Sequence, residues 1–251
     1  MKVAIVHDLL LKLGGAERVV KALAEIFPKA PIYTLLYDEK AVGSVFPKDR
    51  VRTSFLQKYP SFIRKHHRFL VHKMPRAIEE LDLEDFDLVI SSNTAFAHGI
   101  VTNLNTRHIC YCHSPMRYAW DYSNEYRTEN DLKGLKALLY APLIKYLRQW
   151  DRTAADRPDA YISNSANVQR RLKKYYQTDS QIIYPPVDTD RFRAKETNEN
   201  YFLIVSTLTP YKKIDLAIQL FNKIGRRLVI IGDGPQRKYL ENIAGDNVEF
   251  L

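Results

Sequence analysis

The opening of the chain, Lys2 to Phe27, limits the possible folds more than any other stretch. Lys2 to His7 (KVAIVH) is a short, continuous apolar run rich in β-branched residues, the pattern of a strand buried on both faces. A loop follows that ends in Gly14-Gly15. AERVVKALAEIF then places Val19, Val20, Leu23, Ala24 and Phe27 at helical spacing until Pro28 closes the run. A strand, a glycine turn and an amphipathic helix in succession are the first repeat of an α/β fold, in which helices cover a parallel sheet.

The same alternation continues along the chain. Extended runs are expected near Ile32 to Leu36 and at Phe86 to Ser91, Arg107 to Cys112 and Ala160 to Ser163, with a helix starting after Asn93 and another from Ala166 to Tyr176. Leu132 to Asp156 reads as a long helical stretch in which Pro142 predicts a kink or a break. Ile182 to Asp188 runs from a strand into a Pro-Pro turn, and the polar stretch Arg193 to Asn200 reads as a linker. A second series follows: strands at Tyr201 to Ser206, Leu228 to Ile231 and Val248 to Leu251, with helices at Asp215 to Ile224 and Gln236 to Ala244. This divides the chain into a first Rossmann-like domain over 1–192, a linker over 193–200 and the first part of a second such domain over 201–251. Two or three strand-helix repeats are few for a sheet, so the chain is expected to stop inside that second domain.

Composition narrows the class of protein. Of 251 residues 45% are hydrophobic and 27% charged, which fits a folded globular chain and excludes disordered or collagen-like ones. Cys110 and Cys112 alone make no disulfide framework, so a reducing, cytoplasmic setting is the default expectation. Their spacing with His113 also does not match a four-ligand zinc site, and neither Asp85-x-Asp87 nor Asp188-x-Asp190 has a setting that suits a metal, so none is expected. No apolar run reaches the ~20 residues a spanning helix needs. The net charge of +9 is concentrated in one place, because Lys48 to Arg76 holds nine Lys and Arg against Asp49 alone. Phe55, Leu56, Tyr59, Phe62, Ile63, Phe69 and Leu70 are interleaved with those cations. Such a segment either lies on an anionic membrane face or acidic ligand, or is a solvated basic face whose aromatic residues enter the core. A basic module for anionic lipid or nucleic acid is therefore a second class of function, although no known nucleic-acid reader motif accompanies the charge, and nucleic acid is not expected as a partner.

Six segments in order carry a family resemblance: GGAERV (Gly14 to Val19), CYCHSPMRYAWD (Cys110 to Asp121), ISNS (Ile162 to Ser165), YPPVDTDRF (Tyr184 to Phe192), STLTPYKKIDLAI (Ser206 to Ile218) and IGDGP (Ile231 to Pro235). Together they resemble family 4 of the retaining glycosyltransferases of the B fold, which have two facing Rossmann-like domains. HSPMRYAWD is most similar to members that transfer mannose or related sugars in bacterial surface polysaccharide synthesis, lipopolysaccharide included. The resemblance implies a nucleoside-diphosphate sugar such as GDP-mannose as donor, a glycan or lipid-linked acceptor, no metal or cofactor, and work in the cytoplasm at the inner face of the cell membrane.

The residues fit that chemistry in different ways. A glycine pair at a helix start lets backbone N–H groups approach a diphosphate, so Gly14 and Gly15 are donor candidates. Lys212 and Lys213, at a helix start after the second series' first strand, would meet the departing phosphate, with Gly232 in the IGDGP turn. Thr207 stands where the resemblance implies a second phosphate-binding arginine, and a hydroxyl brings no charge. His113, after a strand of the parallel sheet, matches the residue beside the reacting sugar and is the catalytic candidate. Arg117, Tyr118, Trp120 and Asp121 follow on a loop that either closes over the acceptor or plugs the core. Glu17 and Arg18 either hold polar groups of a substrate or form a solvated pair. Relatives carry a downstream loop with two glutamates that holds the donor, so the 251-residue chain by itself is expected to show little or no turnover.

Overall fold

A computed structural model describes residues 1–121, 135–190 and 199–251, with the backbone alone for 135–139. The expected helix start at 132–134 and most of the expected linker, 193–198, lie outside the described residues. The chain divides into two compact units, Met1–Val187 and Asp188–Leu251.

The first unit is built on seven parallel strands: β1 (Val3–Leu10), β2 (Ile32–Tyr37), β3 (Val51–Thr53), β4 (Leu88–Asn93), β5 (Arg107–Cys112), β6 (Ala160–Ser163) and β7 (Gln181–Ile182), in the order β3-β2-β1-β4-β5-β6-β7. Among the described residues its α-helices are α1 (Gly15–Ile26), α2 (Glu39–Val42), α3 (Ser61–Lys65), α4 (Met74–Glu79), α5 (Leu135–Ala154) and α6 (Ala166–Tyr175). The apolar strand runs are explained by burial on both sides. Ala4 and Val6 join one core cluster with Met74, Ile78, Phe96 and Leu147, while Ile5 joins another with Val20, Ala24, Ile32 and Phe46. A fully buried valine such as Val20 contributes roughly 1.5 to 3 kcal/mol, so α1 is held mainly by this stripe. Cys110 and Cys112 are free and buried on one face of β5 beside Tyr161 and Tyr176.

Of the kink or break expected at Pro142 the break is excluded, because helix α5 continues through it with Ile144 and Leu147 buried on its later turns. One local expectation is corrected. After Asn93 there is only a short 3₁₀ turn, Ala97–Gly99. The turn ends at Ile100, whose backbone is extended at φ −60° and ψ 154°, and Gly99 before it abuts the Trp150 ring with no room for a Cβ.

The second unit has β8 (Phe202–Val205), β9 (Leu228–Ile231) and β10 (Val248–Phe250) in parallel, ordered β10-β9-β8. Helices α7 (Ile214–Ile224) and α8 (Arg237–Ile243) enclose a core of Leu208, Ile214, Ile218, Leu228, Ile230 and Leu240. Gly225 ends α7 in the left-handed conformation, φ 67°, with its N–H on the Phe221 carbonyl.

Candidate active site at the carboxyl edge of the first sheet

Strand order locates the site. From β1 the chain first builds outward through β2 and β3, then crosses back to add β4 on the other side of β1. At such a reversal the connections leaving adjacent strand ends diverge, and open α/β sheets bind ligands in the crevice they leave. The polar residues His7, Asp8, Ser92, Asn93, His113 and Asn164 stand where the apolar β1, β4, β5 and β6 reach this edge.

Period-two alternation in β1 sends His7 and Asp8 to opposite faces. His7 looks toward α1, where its Nε2 lies 3.7 Å from Glu17 Oε1, while Glu17 Oε2 accepts the Gly14 N–H at 2.9 Å. Burial pushes the Glu17 carboxyl up, but the His7 contact and the backbone amides outweigh it and leave the carboxyl below its usual range. Glu17 thus closes the Gly14 turn from inside and does not belong to a solvated pair; Arg18 beside it is exposed. His7 Nδ1 lies 2.9 Å from the Ser92 carbonyl, which can only accept, so Nδ1 carries a proton. The Ser92 hydroxyl is 3.2 Å from that nitrogen and 2.9 Å from His113 Nε2. The hydroxyl can accept from His7 and donate to His113, giving a hydrogen-bonded chain from His7 through Ser92 to His113, with Glu17 beside the other side of the His7 ring.

His113 is fixed at its backbone as well: its N–H donates to the Asn93 carbonyl at 2.9 Å, and its carbonyl accepts from Asn164 Nδ2 at 3.1 Å. Burial, with His7 adding to it, pulls its pKa down to about 4. At neutral pH its imidazole is uncharged. It can accept or donate a hydrogen bond but cannot neutralise a phosphate.

Asp8, on the other face, is 2% exposed and ties β1 to β4's loop. Its Oδ1 accepts from the N–H groups of Phe96 and Ala97, both at 2.6 Å. Its Oδ2 accepts from the Thr94 N–H at 2.5 Å, the Thr94 hydroxyl at 2.6 Å and the Ala95 N–H at 3.0 Å.

The loop after His113 is anchored from below. Arg171 of α6 donates to Ser114 Oγ and Asp121 Oδ1, both at 2.7 Å. Tyr118 and Trp120 pack against the core, and the Trp120 indole N–H donates at 2.7 Å to Asp151, a fully buried carboxylate that also accepts from Tyr176 at 2.9 Å. Burial raises the Asp151 pKa against these contacts. Arg117 and Asp121 face outward. His7, Asp8, Ser92, Asp151 and Arg171 were not among the sequence candidates. The usable signal for the first three was their position, polar residues closing apolar strands.

The second unit has its own edge. Gly232, φ 148°, and Gly234 lie so close to the backbone at Ser206 and Leu208 that a Cβ at Gly234 would stand 2.5 Å from the Leu208 oxygen. Lys212 ends a short 3₁₀ turn, and Lys213 adopts a left-handed backbone, φ 53°, at the start of α7. Thr207, Lys212 and Lys213 are all exposed. Beside them Thr209 Oγ1 and Gln236 Oε1 are buried without a hydrogen-bond partner among the described residues, which a ligand or water would supply. A depression of about 420 Å³ lies elsewhere, at the amino-terminal edge of the first sheet, between residues 1–3, 26–31 and Phe86. It has neither the histidines nor the strand ends, so we place the chemistry at the carboxyl edge.

Comparison with known proteins bears on the fold and the family. The chain is 24% identical to the alpha-1,3/1,6-mannosyltransferase ALG2 of Candida glabrata, across all of the chain and 57% of that protein. It therefore spans a little over half the length of this curated relative. Among solved structures, Anabaena Alr3699/HepE in complex with UDP matches with a TM-score of 0.62 at 15% identity, over all of this chain and 69% of that one. TarM of S. aureus, in complex with Fondaparinux, alpha-GlcNAc-glycerol and UDP, matches with 0.59 at 11% identity, over all of this chain and 77% of that one. These likenesses establish the shared Rossmann-like α/β fold. Residues 187–250 match the description "Glycosyl transferases group 1". With residues 13–191 matching Glycosyltransferase Family 4, the chain belongs to that family.

Proposed function

We propose that this protein transfers a hexose, mannose first among them, from a nucleoside-diphosphate sugar such as GDP-mannose to a glycan or lipid-linked acceptor. The transfer is proposed to retain anomeric configuration, to need no metal, and to occur at the cytoplasmic face of the cell membrane during surface polysaccharide assembly. Family membership and the mannosyltransferase relative support the class of reaction and the sugar. The observation that carries the site is His113 at the carboxyl end of β5, next to the β1–β4 reversal and joined through Ser92 to His7, which lies beside Glu17 of the Gly14 turn.

In this reading the bond between the anomeric carbon and the diphosphate breaks with its electron pair on the phosphate oxygen. The acceptor oxygen bonds to that carbon from the same face and its proton leaves toward the departing phosphate. Neutral His113 orients sugar hydroxyls or the reacting carbon's neighbours. In the first unit the helix start at Gly14 and Gly15 is assigned to the donor through Gly15, because Glu17 holds the Gly14 N–H. In the second unit the cations Lys212 and Lys213 are assigned to phosphate charge, with Thr207 and Gly232 completing that unit's donor contacts. Arg117 and Asp121, exposed beside His113, and Arg18, exposed on the first turn of α1, are assigned to the acceptor. Tyr118, Trp120 and Glu17 support them from within.

The test is transfer from GDP-mannose by the protein that carries this chain, wild type against His113→Ala. We expect kcat to fall on the order of 10²-fold or more, the scale of losing one oriented transition-state contact, with donor affinity nearly unchanged. Undiminished turnover in the variant would remove His113 from the reaction.

A further inference from the structure

The basic segment between β3 and β4 divides its side chains in a way that its composition could not reveal. Leu56, Leu70 and Met74 are buried, and Ile63 packs partly against the same core. Phe62 and Phe69 do the opposite: they are 66% and 75% exposed, on α3 and on the 3₁₀ helix His67–Lys73 that follows it. His66 between them is exposed as well, its ring 6.4 Å from that of Phe69, so the segment turns an outward stripe of rings to solvent. The cations divide too. Arg64 and Lys73 donate to the Tyr59 carbonyl and hydroxyl, and Arg50 to carbonyls at the end of α1. Lys58 and Lys65 are exposed with no ion-pair partner among the described residues, and Arg68 is exposed beside Phe69.

We infer that this outward stripe docks the protein on an anionic bilayer, with Phe62 and Phe69 entering the hydrocarbon boundary and Lys58, Lys65 and Arg68 meeting lipid phosphates. Exposed phenylalanines ringed by lysine and arginine match hydrocarbon beneath phosphate. A nucleic-acid backbone engages cations without requiring exposed apolar rings. Docking here would hold the first unit at the surface that carries a lipid-linked acceptor, a consequence that rests on the function proposed above; the docking itself does not.

The experiment is flotation of the 251-residue chain with vesicles of phosphatidylcholine alone and with about 30% phosphatidylglycerol, at physiological salt, where polybasic attraction still operates. We expect binding to the anionic vesicles at least tenfold tighter than to the neutral ones. Phe62→Ser with Phe69→Ser should lower it about tenfold or more, and Lys65→Glu with Arg68→Glu should abolish it. Leu104→Ser, at a fully exposed leucine in the β4–β5 connection, should leave binding unchanged. Circular dichroism confirms that each variant is folded, and Phe62→Ala with Phe69→Ala replaces any variant that is not. Binding that ignores the phenylalanines would overturn the insertion. So would an absence of vesicle binding together with tight binding to random duplex DNA, which would make the surface a nucleic-acid site. Sugar transfer assayed in detergent without vesicles is a separate result, so failure of either reading leaves the other standing.

Discussion

Replacing Asp8 with Asn changes charge and donor pattern at almost constant volume, and the structure allows the cost to be worked out. One carboxylate oxygen holds two backbone N–H groups and the other holds two N–H groups and the Thr94 hydroxyl, all within 3.0 Å. An amide keeps one acceptor and turns an NH₂ toward donors on the other side. At least two charge-assisted hydrogen bonds are lost, each worth ~1.5 to 3 kcal/mol, and buried N–H groups are left facing a donor. The expected destabilisation is about 4 kcal/mol, a large fraction of the ~5 to 15 kcal/mol typical of a domain. With a urea slope of ~2 kcal/mol/M, the unfolding midpoint should drop by about 2 M. Both tryptophans of the chain, Trp120 and Trp150, lie in the first unit, so their fluorescence follows this unit alone. Thr94→Val removes only the hydroxyl contact and should cost about 1 kcal/mol. A midpoint for Asp8→Asn within about 0.3 M of wild type would refute the claim that this carboxylate holds the loop after β4.

The first unit should also lose stability in mild acid. Burial pulls His113 down to about 4 and His108 to about 3, while the unfolded chain takes up these protons near 6.5. Both contributions are therefore complete above about pH 6.5 and are lost as pH falls toward about 4 and 3; for His113 alone the loss is roughly 3 kcal/mol. Urea midpoints at pH 7 and pH 4.5 should differ accordingly, and His113→Gln should flatten the dependence. In the second unit, Lys213→Gly should relieve the left-handed backbone and raise the opening free energy of the α7 amides in hydrogen exchange by about 1 kcal/mol, while weakening donor binding. A fall in that free energy would show that no strain is stored there.

The α/β class was legible because its signals are local. Apolar runs at β1, β5 and β9 and the helical stripe of α1 coincide with what the sheet buries. His113 was legible from its motif and from following a strand. His7 and Ser92 were not, because they meet across strands 85 residues apart and no local pattern reports on a register such as His7 opposite Ser92. The Asp8 anchor was hidden for the same reason. The basic segment mixed core and surface aromatics at intervals that only the packed structure separates. At Pro142 the local penalty did not break the helix, whose later turns bury Ile144 and Leu147.

The most direct test of the central claim is a transfer assay in which the protein that carries this chain is given GDP-mannose, UDP-hexoses and a lipid-linked glycan acceptor, and the product's anomeric configuration is read by NMR. The account predicts a mannosylated product with the donor's anomeric configuration, undiminished by a metal chelator and lost in His113→Ala. Absence of transfer and of nucleotide-sugar binding, or transfer that ignores His113, would contradict it.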